Sequence, residues 1–188
     1  VDGALRSTQF CWAPGVACYV RWMDDKGNYV FDIPYKEAGD ILAAWLNKPD
    51  VKYIGHHFSA DAPWLNYKLG LDWYEKCIFD TEFAQQTANE YEELSLERIA
   101  MKYTDLGRYD LPLVLWKKQN KALMLDGGYG AIPDDILIDY AMKDVDTVFR
   151  AWPIIRKSLD MQSLSDYYDN IFNPFVTDVF ISFALVGL

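Results

Sequence analysis

The chain has 188 residues, 51% of them hydrophobic, and a formal net charge of −10. That is apolar material for the core of a single domain and too much for a disordered chain. The acidic balance excludes a protein that coats nucleic acid by bulk positive charge, and no apolar run approaches the ~18 residues of a membrane span.

The elements are read in chain order. Ser7 to Trp12 reads as a strand, Ala13-Pro14-Gly15 as a turn, and Val16 to Trp22 as a second strand rich in β-branched and aromatic residues. A turn at residues 24–28 leads to a third short strand over Tyr29–Ile33, so the opening is expected to be an antiparallel meander. Ala38, Ile41, Leu42, Trp45 and Leu46 recur at helical spacing over Lys36–Asn47, and Pro49 closes that helix. Val51–Gly55 is a short strand. Ala62–Leu69 is a helix with Pro63 in its first turn and Gly70 as its stop.

Cys77-Ile78-Phe79 is a further short strand, and Asp80 caps a helix through about Asn89. Ser95 caps Leu96–Tyr103. Residues 105–132 read as the least regular part, with a loop. Pro133-Asp134-Asp135 opens a helix through about Lys143 that continues to Trp152, and Pro153 marks a new start. A last helix follows Ser163-Leu164-Ser165 toward Leu185. The alternation of strands and helices predicts a mixed α/β layer fold. Val1 and the apolar run up to Leu188 read as the cut ends of a longer protein.

Cys11, Cys18 and Cys77 form no C-x-x-C pair and suit free thiols in a reducing compartment. His56 and His57 are the two histidines of the chain, so a structural zinc site is not expected. Three constellations could carry chemistry. Tyr140 and Asp144 lie four apart on a helix, so a phenol and a carboxylate share one face. That pair suits a phenol holding water beside a carboxylate-bound metal, or an ordinary helix surface. Asp61, after Ile54-Gly55-His56-His57-Phe58-Ser59-Ala60, is either a metal-binding carboxylate at a strand end or a helix N-cap. Asp80-Thr81-Glu82 has D-x-E spacing, but at a helix start positions two apart diverge, and capping is the better reading of Asp80.

In order and context, these segments resemble the 3′–5′ proofreading exonuclease domain of family A DNA polymerases. Trp12–Val20 is similar to its second and third strands across a Pro-Gly turn, and Tyr53–Asp61 to its second exonuclease motif. Ile78-Phe79-Asp80-Thr81 resembles the strand end that follows, and Ile138–Thr147 resembles the third motif, Y-x-x-x-D with a trailing D-x-T. Ile171–Val176 and the segment to Leu188 resemble the helix that leaves the exonuclease toward a polymerase region, which separates this reading from a ribonuclease D type exoribonuclease.

The resemblance implies a ribonuclease H-like mixed sheet flanked by helices, with an exonuclease domain over residues 1–160 and an exit helix over 161–188. It implies two Mg²⁺ or Mn²⁺ ions, a single-stranded DNA 3′ end as substrate, release of nucleoside monophosphates, a covalently linked polymerase domain and an intracellular setting without a membrane. Asp61 would hold the metal nearer the leaving group, Asp144 the metal bearing the water, and Tyr140 would orient that water. The sequence departs from the family pattern in two places. No D-x-E precedes residue 80, which places the family's first motif upstream of Val1 or outside the protein and predicts impaired turnover. His57 and Ala60 stand where the family usually has Asn and an aromatic residue. His57 is then either a donor to substrate or a carboxylate, or a packed residue. The resemblance also admits a fold that has lost its metals and serves as a scaffold for the polymerase.

Overall fold

The computed structural model describes residues 5–24, 26–70 and 76–186. The chain is a mixed α/β protein that divides into two compact units. One comprises Ile33–Ser95 with Ala151–Leu188, the other Asp2–Asp32 with Leu96–Arg150.

The second of these units opens with strands β1 (Ser7–Ala13) and β2 (Val16–Arg21), paired antiparallel from Ser7↔Arg21 to Ala13↔Val16. Gly15 sits in the turn with φ +75°, a conformation that a Cβ disfavours. The expected third strand is reduced to one bridge, Met23↔Tyr29. The Asp24 carboxylate accepts from the N–H groups of Lys26 and Asn28, at 2.9 and 2.8 Å, and so closes the chain into a turn that diverts backbone donors from a ladder.

Trp22 is fully buried, and its indole N–H donates to Thr8 Oγ1 at 3.1 Å. Left unmade, that buried bond would cost about 1–3 kcal/mol. Helix α4 spans Leu96–Tyr103 and buries Ile99 and Ala100. Residues 105–132, expected to be irregular, hold two helices of this unit, numbered α5 (Leu111–Gln119) and α6 (Lys121–Gly127), and then a 3₁₀ turn. Pro112 is harmless in the first turn of α5, where its missing N–H has no partner to lose. Leu113, Ile132 and Leu137 form a small core with Trp116, Met124 and Tyr140 packed on it. Arg6 and Arg21 both pair with Asp134.

In the other unit, α1 (Tyr35–Leu46) precedes β3 (Tyr53–Gly55), α2 (Phe58–Leu69), β4 (Cys77–Asp80) and α3 (Thr81–Ala88). Strands β3 and β4 pair in parallel, with Ile54↔Phe79 and Gly55↔Asp80. Phe79 is buried against Trp152 and Tyr168, with ring centroids 6.1 and 5.1 Å apart. Ile155, Leu159 and Tyr168 are fully buried with it.

Helix α7 (Asp134–Met161) continues through Pro153, contrary to the new start expected there. Pro153 is exposed, so water can satisfy the carbonyl that loses its i→i−4 donor. The last helix is α8 (Ser165–Tyr167), two π-helical stretches (Tyr168–Phe172 and Phe175–Phe180) and α9 (Ile181–Val186). Among the described residues no helix is long and apolar enough to cross a membrane.

Candidate functional site

Asp61 is not the helix N-cap that one reading of the sequence gave. Helix α2 begins at Phe58, so Asp61 lies inside its first turn and Pro63 lies beyond that turn. The early start has a tertiary cause. The Asp80 carboxylate reaches back to accept from the backbone N–H groups of His57 (3.1 Å) and Phe58 (2.7 Å). It also accepts from Glu82 and Phe83 at the start of α3, at 3.0 and 3.5 Å, which is the capping expected of it. One buried carboxylate thus serves two helix N-termini.

The backbone of Asp80 is tied as well. Its N–H donates to the Tyr168 hydroxyl at 2.8 Å, and that hydroxyl donates to the Asp80 carbonyl at 3.0 Å. The chain passes closely here. A Cβ on Gly55 would stand 2.9 Å from Phe58 Cβ, so glycine is required, and the Gly55 carbonyl accepts from Thr81 Oγ1 at 3.1 Å.

His57 takes a left-handed conformation with φ 52°. Its Nδ1 lies 2.5 Å from Glu82 Oε2, and its ring stacks on Phe83 with centroids 6.4 Å apart. Of the partners open to His57 in the sequence, the structure supplies a carboxylate. Desolvation and then the Asp80 charge push the Asp61 carboxyl up to about 6, against the pull of His57. The residue is nevertheless exposed, and solvent screening trims the size of that push.

The other candidate residues lie in the second unit. Helix α7 carries Tyr140 and Asp144 one turn apart, as their spacing predicts. Asp144 has a partner that sequence reasoning missed. The Tyr109 hydroxyl donates to Asp144 Oδ1 at 2.6 Å, and the rings of Tyr109 and Tyr140 lie 5.8 Å apart. Burial, then the Asp144 charge, holds both phenols well above their ordinary pKa, so each is a neutral O–H donor across the physiological range. Tyr109 lies in the stretch read as irregular, where no periodicity marks it.

Two residues beyond Asp144, buried Asp146 accepts from the Gly15 N–H at 2.8 Å and from Arg150 Nε at 2.9 Å. It pins the β1–β2 turn to α7.

Asp61 and His57 therefore belong to one unit, and Tyr140 and Asp144 to the other. Among the described residues, no three of His, Cys, Asp or Glu gather into a metal-binding group. The donor set is all carboxylate oxygen, which suits a hard dication such as Mg²⁺ that keeps much of its water and takes one or two protein carboxylates.

In this mixed α/β chain, helix α7 thus holds a carboxylate beside two buried neutral phenols. Comparison with known proteins gives the family. Residues 7–160 match the model of a 3′–5′ exonuclease family, and the chain belongs to that family, the exonuclease domain of family A DNA polymerases. It is 35% identical over 137 residues to the DNA polymerase of Escherichia phage T5, a match covering 66% of this chain and 16% of that protein. It is 31% identical over 126 residues to the DNA polymerase of Bacillus phage SP01, covering 66% of this chain and 13% of that protein. The chain thus spans about a sixth or less of the length of these relatives. No solved structure matches it.

Proposed function

We propose that the chain supplies the residues for metal-dependent 3′–5′ hydrolysis of single-stranded DNA ends, releasing nucleoside monophosphates, next to a polymerase domain that residues 161–188 lead toward. The observation that carries this reading is Asp144, held by the Tyr109 hydroxyl on the same helix face as Tyr140, in a chain of the exonuclease family. Asp61 and Asp144 are the carboxylates that would hold Mg²⁺ or Mn²⁺, in a fold of the ribonuclease H-like kind. Bound divalent ions would supply polarisation of the phosphodiester and a lowered pKa for a water.

The chain's own side chains do the positioning. Tyr140, kept neutral by burial and by Asp144, orients a water by hydrogen bond without ligating metal. Asp144 holds its orientation through Tyr109. His57, held by Glu82, is the residue that would contact substrate.

The test uses matched 3′-labelled DNA and RNA single strands with Mn²⁺, applied to this chain and to a version preceded by a strand carrying D-x-E. The expected result is DNA degradation by the preceded version, little by the chain alone, and none after Asp144→Asn. Preferential RNA degradation would favour the ribonuclease D kind. Absence of Mn²⁺ binding in both versions would favour a scaffold.

A further inference from the structure

We infer that Tyr109 is a positioning residue for the exonuclease reaction, acting through Asp144; this rests on the reading of Asp144 as a metal ligand. The loop before α5 is tied on both sides of Tyr109. Gly107 turns the chain at φ +60°. On either side of Tyr109, Arg108 and Asp110 close a two-pronged ion pair, with Nε–Oδ1 at 2.7 Å and the second guanidinium nitrogen to Oδ2 at 2.8 Å. Asp110 is buried, so this fork is a fixed part of the loop.

Upstream, Asp105 pairs with Arg150 at 2.8 Å, and the Thr104 hydroxyl accepts from the Leu106 N–H at 3.1 Å. The segment 105–109 is therefore strapped along α7 at two points six residues apart on the helix, Arg150 and Asp144. Tyr109 itself is 5% exposed and rests against Tyr140. Its hydroxyl, delivered at 2.6 Å, fixes the rotation of the Asp144 carboxylate before any cation arrives. Partners of this kind, which orient a ligand without touching the metal, typically change metal affinity by about 10–100-fold.

The experiment measures Mn²⁺ binding to the chain by electron paramagnetic resonance for the parent and for Tyr109→Phe, Tyr140→Phe and Asp144→Asn. Thermal midpoints are recorded beside each. The expected result is a loss of at least about 10-fold in affinity for Tyr109→Phe, no comparable loss for Tyr140→Phe, and abolition for Asp144→Asn. 3-Fluorotyrosine at position 109, which keeps the donor, restores the parent affinity and covers the case in which the Phe variant folds poorly. If Asp144→Asn abolishes binding while Tyr109→Phe leaves it unchanged or tightens it, the positioning role is overturned and Asp144 stands as ligand. If Asp144→Asn leaves binding unchanged, the ligand reading itself falls, and the inference with it.

Discussion

Replacing Asp80 by Ala removes a buried carboxylate that accepts four backbone N–H groups, two leading into α2 and two at the start of α3. An N-cap lost to Ala costs about 0.5–2 kcal/mol, and here two helices lose theirs together. Asp80 is 2% exposed, so water does not readily replace it, and the joint cost should be about 2–4 kcal/mol. With a urea m-value near 2 kcal/mol/M, the unfolding midpoint of this unit should fall by about 1–2 M. Asp80→Asn should cost less. Its single oxygen can serve the Oδ1 partners, but its amide would then face the Phe58 N–H, donor against donor. Urea unfolding gives the midpoint, and hydrogen exchange resolved to residues 57–58 and 82–83 locates the loss, which matters in a chain of two units. A midpoint for Asp80→Ala within about 0.3 M of the parent, or unchanged exchange at His57 and Phe58, would refute the double-cap reasoning.

In the version preceded by the D-x-E strand, Tyr140→Phe should slow DNA hydrolysis by about 10²–10⁴-fold while Mn²⁺ affinity stays near that of the parent; loss of metal together with activity would show that the hydroxyl is not merely orienting water. The raised pKa of Asp61 means that the folded chain holds a proton that the unfolded chain has lost between about pH 4 and pH 6, so stability falls as pH rises through that window. Asp61→Asn should therefore melt higher than the parent above pH 6 and together with it near pH 4, as thermal scans at both pH values will show. Tyr168→Phe leaves the Asp80 N–H without its acceptor in a buried site and should cost about 1–3 kcal/mol in the same urea assay.

What was legible in the sequence was what depends on near neighbours. The Pro-Gly turn and strand-forming residues marked β1 and β2, helical spacing marked α1, and the cap at α3 was read from Asp80 itself. The four-residue spacing of Tyr140 and Asp144 placed them on one face, and the order of motifs pointed to the family. What was missed depends on distant partners. The start of α2 is set by a carboxylate more than twenty residues away, so local reading began the helix four residues late and gave Asp61 a capping role that Asp80 fills. Glu82 as the partner of His57 and Tyr109 as the partner of Asp144 are likewise contacts across 25 and 35 positions. Residues 105–132 looked irregular because Gly107, Pro112 and Gly127–Gly130 punctuate them, yet Pro112 falls where a helix accepts proline.

The family match stops at residue 160, but the hydrogen bonding does not. Tyr168 completes the backbone of Asp80, Asn173 Nδ2 donates to the Cys77 carbonyl at 3.0 Å, and Arg156 pairs with Asp169. Tyr168 and Asn173 thus tie β4 at its two ends, Asp80 and Cys77, and Asp169 ties the same stretch to α7. A boundary drawn from sequence similarity would cut through this lacing and leave β4 untied at both ends. The smallest piece that should fold as this unit therefore reaches at least to Asn173, and trimming trials ending at 160 and at 175 would separate the inherited boundary from the physical one.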